Sequence, residues 1–148
     1  MIFLLQKLSK MIPGLNERSL TEADFYRLCK RFKITVDEMP LVAGGFYYRT
    51  MGRDFIAVDS RLGGYEKLLV QFHELAHFLL HAPDSGATAN FHGVGRQTRK
   101  EVEADVFALC AVLPGTKLVS YSVEGLLDEG FSAEMIARRI EIFEQYGI

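Results

Sequence analysis

The chain is predicted to have an α+β fold, in which a small sheet is followed by a mostly helical second half. Three patterns predict this fold. Two short runs rich in aromatic and β-branched residues lie within positions 46–58 on either side of Met51-Gly52, as in a β-hairpin. Positions 65–81 contain no Pro or Gly and repeat apolar residues at steps of three and four, which is typical of a helix. A second helical pattern covers positions 98–113.

The first half of the chain supplies one helix and the predicted strands. Ser19 and Glu22 have the spacing of a capping box, so we expect a helix from there to about Phe32. The next positions alternate apolar residues up to Pro40 and predict a short strand. The hairpin follows, and we expect one of its two strands to form an exposed edge of the sheet, either 46–49 or 54–58.

The second half is predicted to be helical apart from one loop. The central helix over 65–81 ends before Pro83. Positions 82–97 are rich in Gly, Ser and Asn and are predicted to form a loop, either a lid over a site or a passive connection. Three more helices are predicted after this loop, at 98–113, 123–129 and 132–146.

Length and composition favour one compact domain that spans positions 1–148. With 49% hydrophobic and 24% charged residues, the chain has the composition of an ordinary globular protein. The net charge of −2 gives no general attraction to nucleic acid or to an anionic membrane, so we expect neither kind of binding. The apolar start, Met1–Leu5, is too short for a signal-peptide core or for a membrane span.

The two cysteines, Cys29 and Cys110, give no sign of a metal or redox role, because neither belongs to a CxxC pair. We expect both to be buried free thiols. Such thiols fit the reducing cytoplasm, and we therefore predict a cytoplasmic protein.

Two adjacent arginines near the C-terminus, Arg138 and Arg139, raise the question of DNA binding by the helical tail. Glu134, Glu141 and Glu144 lie around them on the same predicted helix. We therefore expect a solvated face with ion pairs, and no DNA-binding surface.

The segment from His73 to His77 is an HExxH motif inside the central helix. Residues four apart share a helix face, so both histidines can bind one ion, and neutral imidazole nitrogens are good zinc ligands. Glu74 is offset by one position and faces aside, where it can take a proton from a water molecule instead of binding the metal. The motif predicts zinc-dependent hydrolysis with Glu74 as the general base.

A catalytic zinc site needs a third protein ligand and one open position. A metzincin-type motif would have a histidine at position 83, which is Pro83, so that class is excluded. Glu101 and Asp105 lie one turn apart on the next helix, so Glu101 can bind the metal while Asp105 accepts a hydrogen bond from a ligating imidazole. Glu103 is nearly opposite and should not share this task. We expect His81 to pack or to cap its helix.

A competing role for Glu101 stays open at this point. Positions 98–101 match a capping box, in which the Glu101 side chain would bond the first amide of its own helix. Thr98 can also cap that helix with its hydroxyl while Glu101 turns to the metal.

Amide hydrolysis needs a donor that stabilises the oxyanion besides the metal. His92, in the glycine-flanked segment 91–95, is our candidate for this catalytic role. The alternative is an exposed loop histidine without such a role. A peptide substrate would add as an extended strand to the predicted sheet edge.

These motifs resemble those of the ImmA/IrrE family of zinc metallopeptidases, whose fold is a reduced relative of the thermolysin-like zincins. The similarity runs from about residue 20 to the C-terminus and includes the HExxH motif, the nearby His81, and Glu101-x-x-Ala104-Asp105-x-Phe107-Ala108. The resemblance implies a minimal zincin-like domain with a small sheet, a central HExxH helix, a second ligand-bearing helix and a helical tail. It implies that Zn²⁺ is bound by three side chains, His73, His77 and Glu101.

The resemblance also implies a substrate class. Proteases of this family often act on a helix-turn-helix transcriptional regulator encoded nearby, which implies a specific cytoplasmic protein as the partner. Ala76 and Asp105 replace the usual Gly and Asn of the family, but neither change removes a ligand or the base. The alternative is a non-catalytic binding or sensing module that keeps the fold and the metal. An intact Glu74 argues against it.

Overall fold

The structure is a computed structural model that describes residues 1–81, 98–148 and, for the backbone alone, 88–91. These residues form seven helices and four strands, which confirms the predicted α+β class. In the described part of the chain, no helix is both long enough and apolar enough to cross a membrane. The elements in chain order are α1 (Ile2–Met11), α2 (Glu22–Arg31), β1 (Ile34–Met39), β2 (Gly45–Thr50), β3 (Arg53–Asp59), α3 (Gly64–His81), β4 (Thr88–Phe91), α4 (Arg99–Val112), α5 (Gly115–Ser120), α6 (Val123–Asp128) and α7 (Ala133–Tyr146).

The chain falls into two compact units. One unit, Thr21–Ala108, contains the whole sheet together with α2 and α3. The other unit consists of Met1–Leu20 and Leu109–Ile148 and contains α1 and the last three helices. The boundary falls inside α4. That residues 1–148 form a single domain stays a prediction.

The sheet has the strand order β1-β3-β2-β4, so β2 and β3 are both interior strands. β1 pairs with β3 in parallel, whereas β2 is antiparallel to both of its neighbours. The expectation that 46–49 or 54–58 forms the sheet edge is therefore wrong. β4 pairs with the free side of β2, with Phe46 opposite Phe91 and Arg49 opposite Thr88. The loop predicted over 82–97 thus contains a strand, and its remaining positions lie outside the described residues.

The hairpin between β2 and β3 has the predicted turn at Met51-Gly52. Both residues have positive φ, 51° for Met51 and 73° for Gly52, as a two-residue type I′ turn requires. Thr50 pairs with Arg53 directly beside this turn, which fixes the register of the two strands. Glycine accepts such a φ at no cost, whereas Met51 adopts a backbone conformation that is rare for a non-glycine residue.

The first helix of the sheet-containing unit is capped two residues later than the sequence predicted. The backbone N–H of Asp24 donates to Thr21 Oγ1 at 3.2 Å, and the N–H of Thr21 donates to Asp24 Oδ2 at 2.7 Å. Thr21 and Asp24 thus form the capping box, in place of Ser19 and Glu22. Asp and Glu side chains can both accept the hydrogen bond from the N–H of the N-cap residue. The pattern Ser19–Glu22 and the pattern Thr21–Asp24 are therefore difficult to distinguish in the sequence.

Helix α3 packs its apolar face against β2 and β3. Phe72 is fully buried, and its ring lies 5.8 Å from that of Phe25 and 6.3 Å from that of Phe107. Burying one such side chain contributes about 1.5–3 kcal/mol, so this cluster holds α2, α3 and the middle of α4 together. Gly45 permits close contact with α3, because a Cβ there would lie 2.7 Å from Ala57 O and 2.8 Å from Val70 Cγ1. This packing fixes the face of α3 that carries the HExxH motif.

The unit formed by the two ends of the chain contains a buried arginine. Arg139 is 0% exposed, so the expectation of a solvated face at this position is wrong. Its Nε donates to Leu113 O at 2.6 Å, its Nη1 to Ile148 O at 2.8 Å, and its Nη2 to Asn16 Oδ1 at 3.0 Å. Arg139 therefore ties together three segments that are distant in sequence.

Arg139→Met is expected to lower the free energy of unfolding by about 3 kcal/mol, because it removes three hydrogen bonds, one of them to the buried carbonyl oxygen of Leu113. Arg138→Met is the matched control, since the neighbouring Arg138 is exposed. Urea unfolding followed by circular dichroism measures both changes. A loss at Arg139 no larger than that at Arg138 would contradict this role.

Candidate metal centre

Helix α3 brings the two histidines of the HExxH motif together on one face. Their side chains are almost completely buried, with 1% exposed for His73 and 0% for His77. The two Nε2 atoms are 3.2 Å apart, and the rings are nearly perpendicular with centroids separated by 4.9 Å. The spacing of four residues and the packing of α3 thus direct two imidazole nitrogens to a single point.

Glu101, in the first turn of α4, completes a triangle of polar atoms. Its Oε2 lies 3.0 Å from His73 Nε2, and its Oε1 lies 3.1 Å from His77 Nε2. The N–H of Glu101 donates to Thr98 Oγ1 at 3.2 Å, so Thr98 caps the helix with its own hydroxyl. The sequence left two roles open for Glu101, metal ligand and helix cap. In the structure its carboxylate contacts the two histidines, as a metal ligand would.

Asp105, one turn further along α4, contacts the other side of the His73 ring. Its Oδ1 lies 2.8 Å from His73 Nδ1. The contact is close but not a well-aligned hydrogen bond. A carboxylate at this distance still attracts a proton, so we assign the ring proton of the neutral imidazole to Nδ1. This tautomer leaves a lone pair on Nε2, the atom that faces Glu101.

The triangle of His73 Nε2, His77 Nε2 and the Glu101 carboxylate fits a small divalent cation. With the proton of each ring on Nδ1, all three atoms present lone pairs, and at 3.0–3.2 Å they would repel one another unless a positive charge lies between them. Ligands of a tetrahedral zinc ion, each about 2.0–2.2 Å from the metal, are about 3.3–3.6 Å apart, slightly more than the distances in this triangle. Two imidazoles and one carboxylate also form a donor set that zinc accepts, with a fourth position left open.

Glu74 lies beside this triangle and is fully buried. A carboxylate oxygen of Glu74 lies within 4.8 Å of ring nitrogens of both histidines. Within the described part of the chain, neither oxygen makes a well-formed hydrogen bond. Burial raises the pKa of Glu74 well above its ordinary value, and the negative charges of Glu101 and Asp105 add to this rise, while the nearby backbone of Tyr47 lowers the pKa. Burial and these charges thus disfavour the ionised form of Glu74 unless a cation lies beside it.

His81 and Glu103 form a second group of contacts that the sequence analysis did not predict. His81 Nδ1 lies 3.1 Å from His77 Nδ1, and His81 Nε2 lies 2.8 Å from Glu103 Oε2. Arg99 Nε donates to Glu103 Oε1 at 2.9 Å. Residue spacing was the available signal, because His81 follows His77 by one turn just as His77 follows His73.

His92, the predicted oxyanion donor, lies outside the described residues. Its catalytic role therefore stays a prediction. The same holds for the lid predicted over 82–97, apart from the backbone of β4.

A comparison with protein families finds a match for most of the chain. The family model Peptidase_M78, described as the IrrE N-terminal-like domain, matches residues 29–141, about three quarters of the chain. No curated protein and no solved structure matches the chain significantly. The matched range contains the whole sheet, α3 with the HExxH motif, and α4 with Glu101 and Asp105. The chain therefore belongs to the Peptidase_M78 family of metallopeptidases, which confirms the resemblance to ImmA/IrrE proteins.

Proposed function

We propose that this protein is a zinc-dependent endopeptidase. The observation that carries the proposal is the triangle formed by His73 Nε2, His77 Nε2 and the Glu101 carboxylate, with the buried Glu74 beside it. The first three side chains would hold the metal. Membership of a metallopeptidase family supports the same class of reaction.

The protein's own residues account for the proton transfers of amide hydrolysis. Zinc, when bound, supplies Lewis-acid polarisation of the scissile carbonyl and lowers the pKa of a bound water. Glu74 takes a proton from the attacking water and later gives it to the nitrogen of the leaving amine. To act as the base, Glu74 must be ionised, and the positive charge of a bound zinc ion would favour the ionised carboxylate that burial alone disfavours. Asp105 holds the His73 ring in the orientation and tautomer that keep Nε2 directed at the metal position.

The proposed substrate is a specific cytoplasmic protein, and the resemblance to ImmA/IrrE proteases favours a helix-turn-helix transcriptional regulator. A non-catalytic binding or sensing module is the second candidate. A module that only binds metal has no need of a buried carboxyl beside the metal position, and burying such a group without a partner costs stability. Glu74 therefore favours the enzyme.

The zinc-loaded protein is expected to cut peptides in a library prepared from a whole proteome, giving new N-termini that mass spectrometry identifies. Removing the metal with 1,10-phenanthroline should abolish these cuts, and adding Zn²⁺ back should restore them. Library peptides cover many sequences, so the test does not require the natural substrate. A folded, zinc-loaded protein that produces no metal-dependent cuts, in the library or in intact helix-turn-helix regulators, would favour the binding module.

A further inference from the structure

We infer that His81 and Glu103 are positioning residues for His77, which they hold through a relay of hydrogen bonds from His77 to His81 to Glu103. The inference rests on the proposed function, since it takes His77 to be a metal ligand. It assigns a role to His81, for which the sequence suggested packing or helix capping, and to Glu103, for which it suggested no part in the site.

The distances permit only one arrangement of protons when both imidazoles are neutral. If His77 Nε2 keeps its lone pair for the metal, the ring proton of His77 is on Nδ1. That N–H points to His81 Nδ1 at 3.1 Å, which must then accept. The proton of His81 is consequently on Nε2, from which it is donated to Glu103 Oε2 at 2.8 Å. Each nitrogen or oxygen atom in the relay is therefore either a donor or an acceptor, and every donor faces an acceptor.

The relay matches the arrangement at the other histidine of the motif. His73 reaches a carboxylate of α4 directly, through the 2.8 Å contact with Asp105. His77 reaches a carboxylate of the same helix through one intervening imidazole. An acceptor behind a ligating imidazole fixes its tautomer and ring orientation, and so strengthens its bond to the metal. Both ligands of α3 thus have a carboxylate of α4 behind them.

The relay is shielded from water, which makes its hydrogen bonds effective. The side chain of His81 is 5% exposed and that of Glu103 is 15% exposed. Arg99 Nε occupies the second oxygen of Glu103 at 2.9 Å and so limits the rotation of the carboxylate. If His81 only connected the last turn of α3 to α4, replacing it would lower the stability of the protein but would not change its zinc affinity.

The test compares Zn²⁺ affinity, measured by chelator competition, between wild type, four relay variants and one control variant. His81→Leu and Glu103→Leu break the relay and are expected to weaken Zn²⁺ binding by about 10- to 100-fold. His81→Gln retains an acceptor and a donor and should restore part of the loss, and Glu103→Gln retains an acceptor and should cost less than Glu103→Leu. Glu38→Leu is the control, because it removes a carboxylate that pairs with Lys67 of α3 on the sheet side.

Nitrogen-15 NMR of the histidines supplies a readout that does not depend on activity. In the zinc-loaded wild type we expect a protonated Nδ1 on His77 that exchanges slowly with water. In His81→Leu that proton should exchange faster, while urea unfolding of the metal-free form checks that the variant folds.

Zinc affinity within twofold of wild type in folded His81→Leu, with an unchanged His77 signal, would overturn the relay and leave the metal site intact. A folded wild type that binds no Zn²⁺ would overturn both the proposed function and the relay.

Discussion

Glu74→Gln is expected to retain zinc but to lose hydrolysis by about 10²- to 10⁴-fold, the usual contribution of a general acid–base group. Glutamine has nearly the same shape as glutamate, so the packing of α3 should not change. It cannot carry a proton from water to the leaving amine. Zinc content is measured by elemental analysis and hydrolysis by the rate at which new N-termini appear in the peptide library.

Two controls separate loss of chemistry from loss of structure. Glu66→Gln changes an exposed glutamate at the start of the same helix and should leave both zinc and hydrolysis unchanged. Because burial raises the pKa of Glu74, ionising this carboxyl disfavours the folded state above its unfolded pKa. Metal-free Glu74→Gln should therefore be at least as stable as wild type at pH 8. Full activity in this variant would end the proposed mechanism.

Glu101→Ala is expected to weaken zinc binding far more than Glu103→Ala does. The first change removes two oxygens, one 3.0 Å from His73 Nε2 and the other 3.1 Å from His77 Nε2, whereas the second only interrupts contacts behind His77. The loss at Glu103 should stay within about 10- to 100-fold, and the loss at Glu101 should exceed it. Chelator competition with Zn²⁺ measures both affinities under the same conditions.

The comparison has a built-in control, since both carboxylates lie in the first turns of α4. Any general effect of removing negative charge from this helix should be similar in the two variants. The reverse order of losses would show that Glu103 provides the stronger contact to the metal. Zinc lost in His77→Ala but retained in Glu101→Ala would exclude Glu101 as a ligand.

The parts of the fold that depend on local spacing could be predicted from the sequence. The period of α3 places His73 and His77 on one face, and the same spacing places Glu101 and Asp105 on one face of α4. The hairpin could be predicted because two apolar runs lie on either side of a residue pair that ends in glycine. In each of these cases the information lies within a few neighbouring residues.

The features that depend on distant partners could not be predicted. β4 lies in a segment rich in small polar residues and is a strand because it pairs with β2. The residues around Arg139 in sequence are typical of an exposed helix. Arg139 can nevertheless be buried, because three oxygen acceptors from other segments satisfy its guanidinium group. Glu103 and Glu101 point in nearly opposite directions on α4, so Glu103 does not contact the same histidines. It contacts His81 instead, which is one turn beyond His77 on α3.

Anomalous diffraction at the zinc absorption edge, from crystals of the zinc-loaded protein, tests the central claim most directly. The proposed centre predicts one peak at about 2.0–2.2 Å from His73 Nε2, His77 Nε2 and an oxygen of Glu101, with Glu74 outside the coordination sphere. A peak bound by Glu74 in place of Glu101, or no peak at this position in a folded protein, would contradict it.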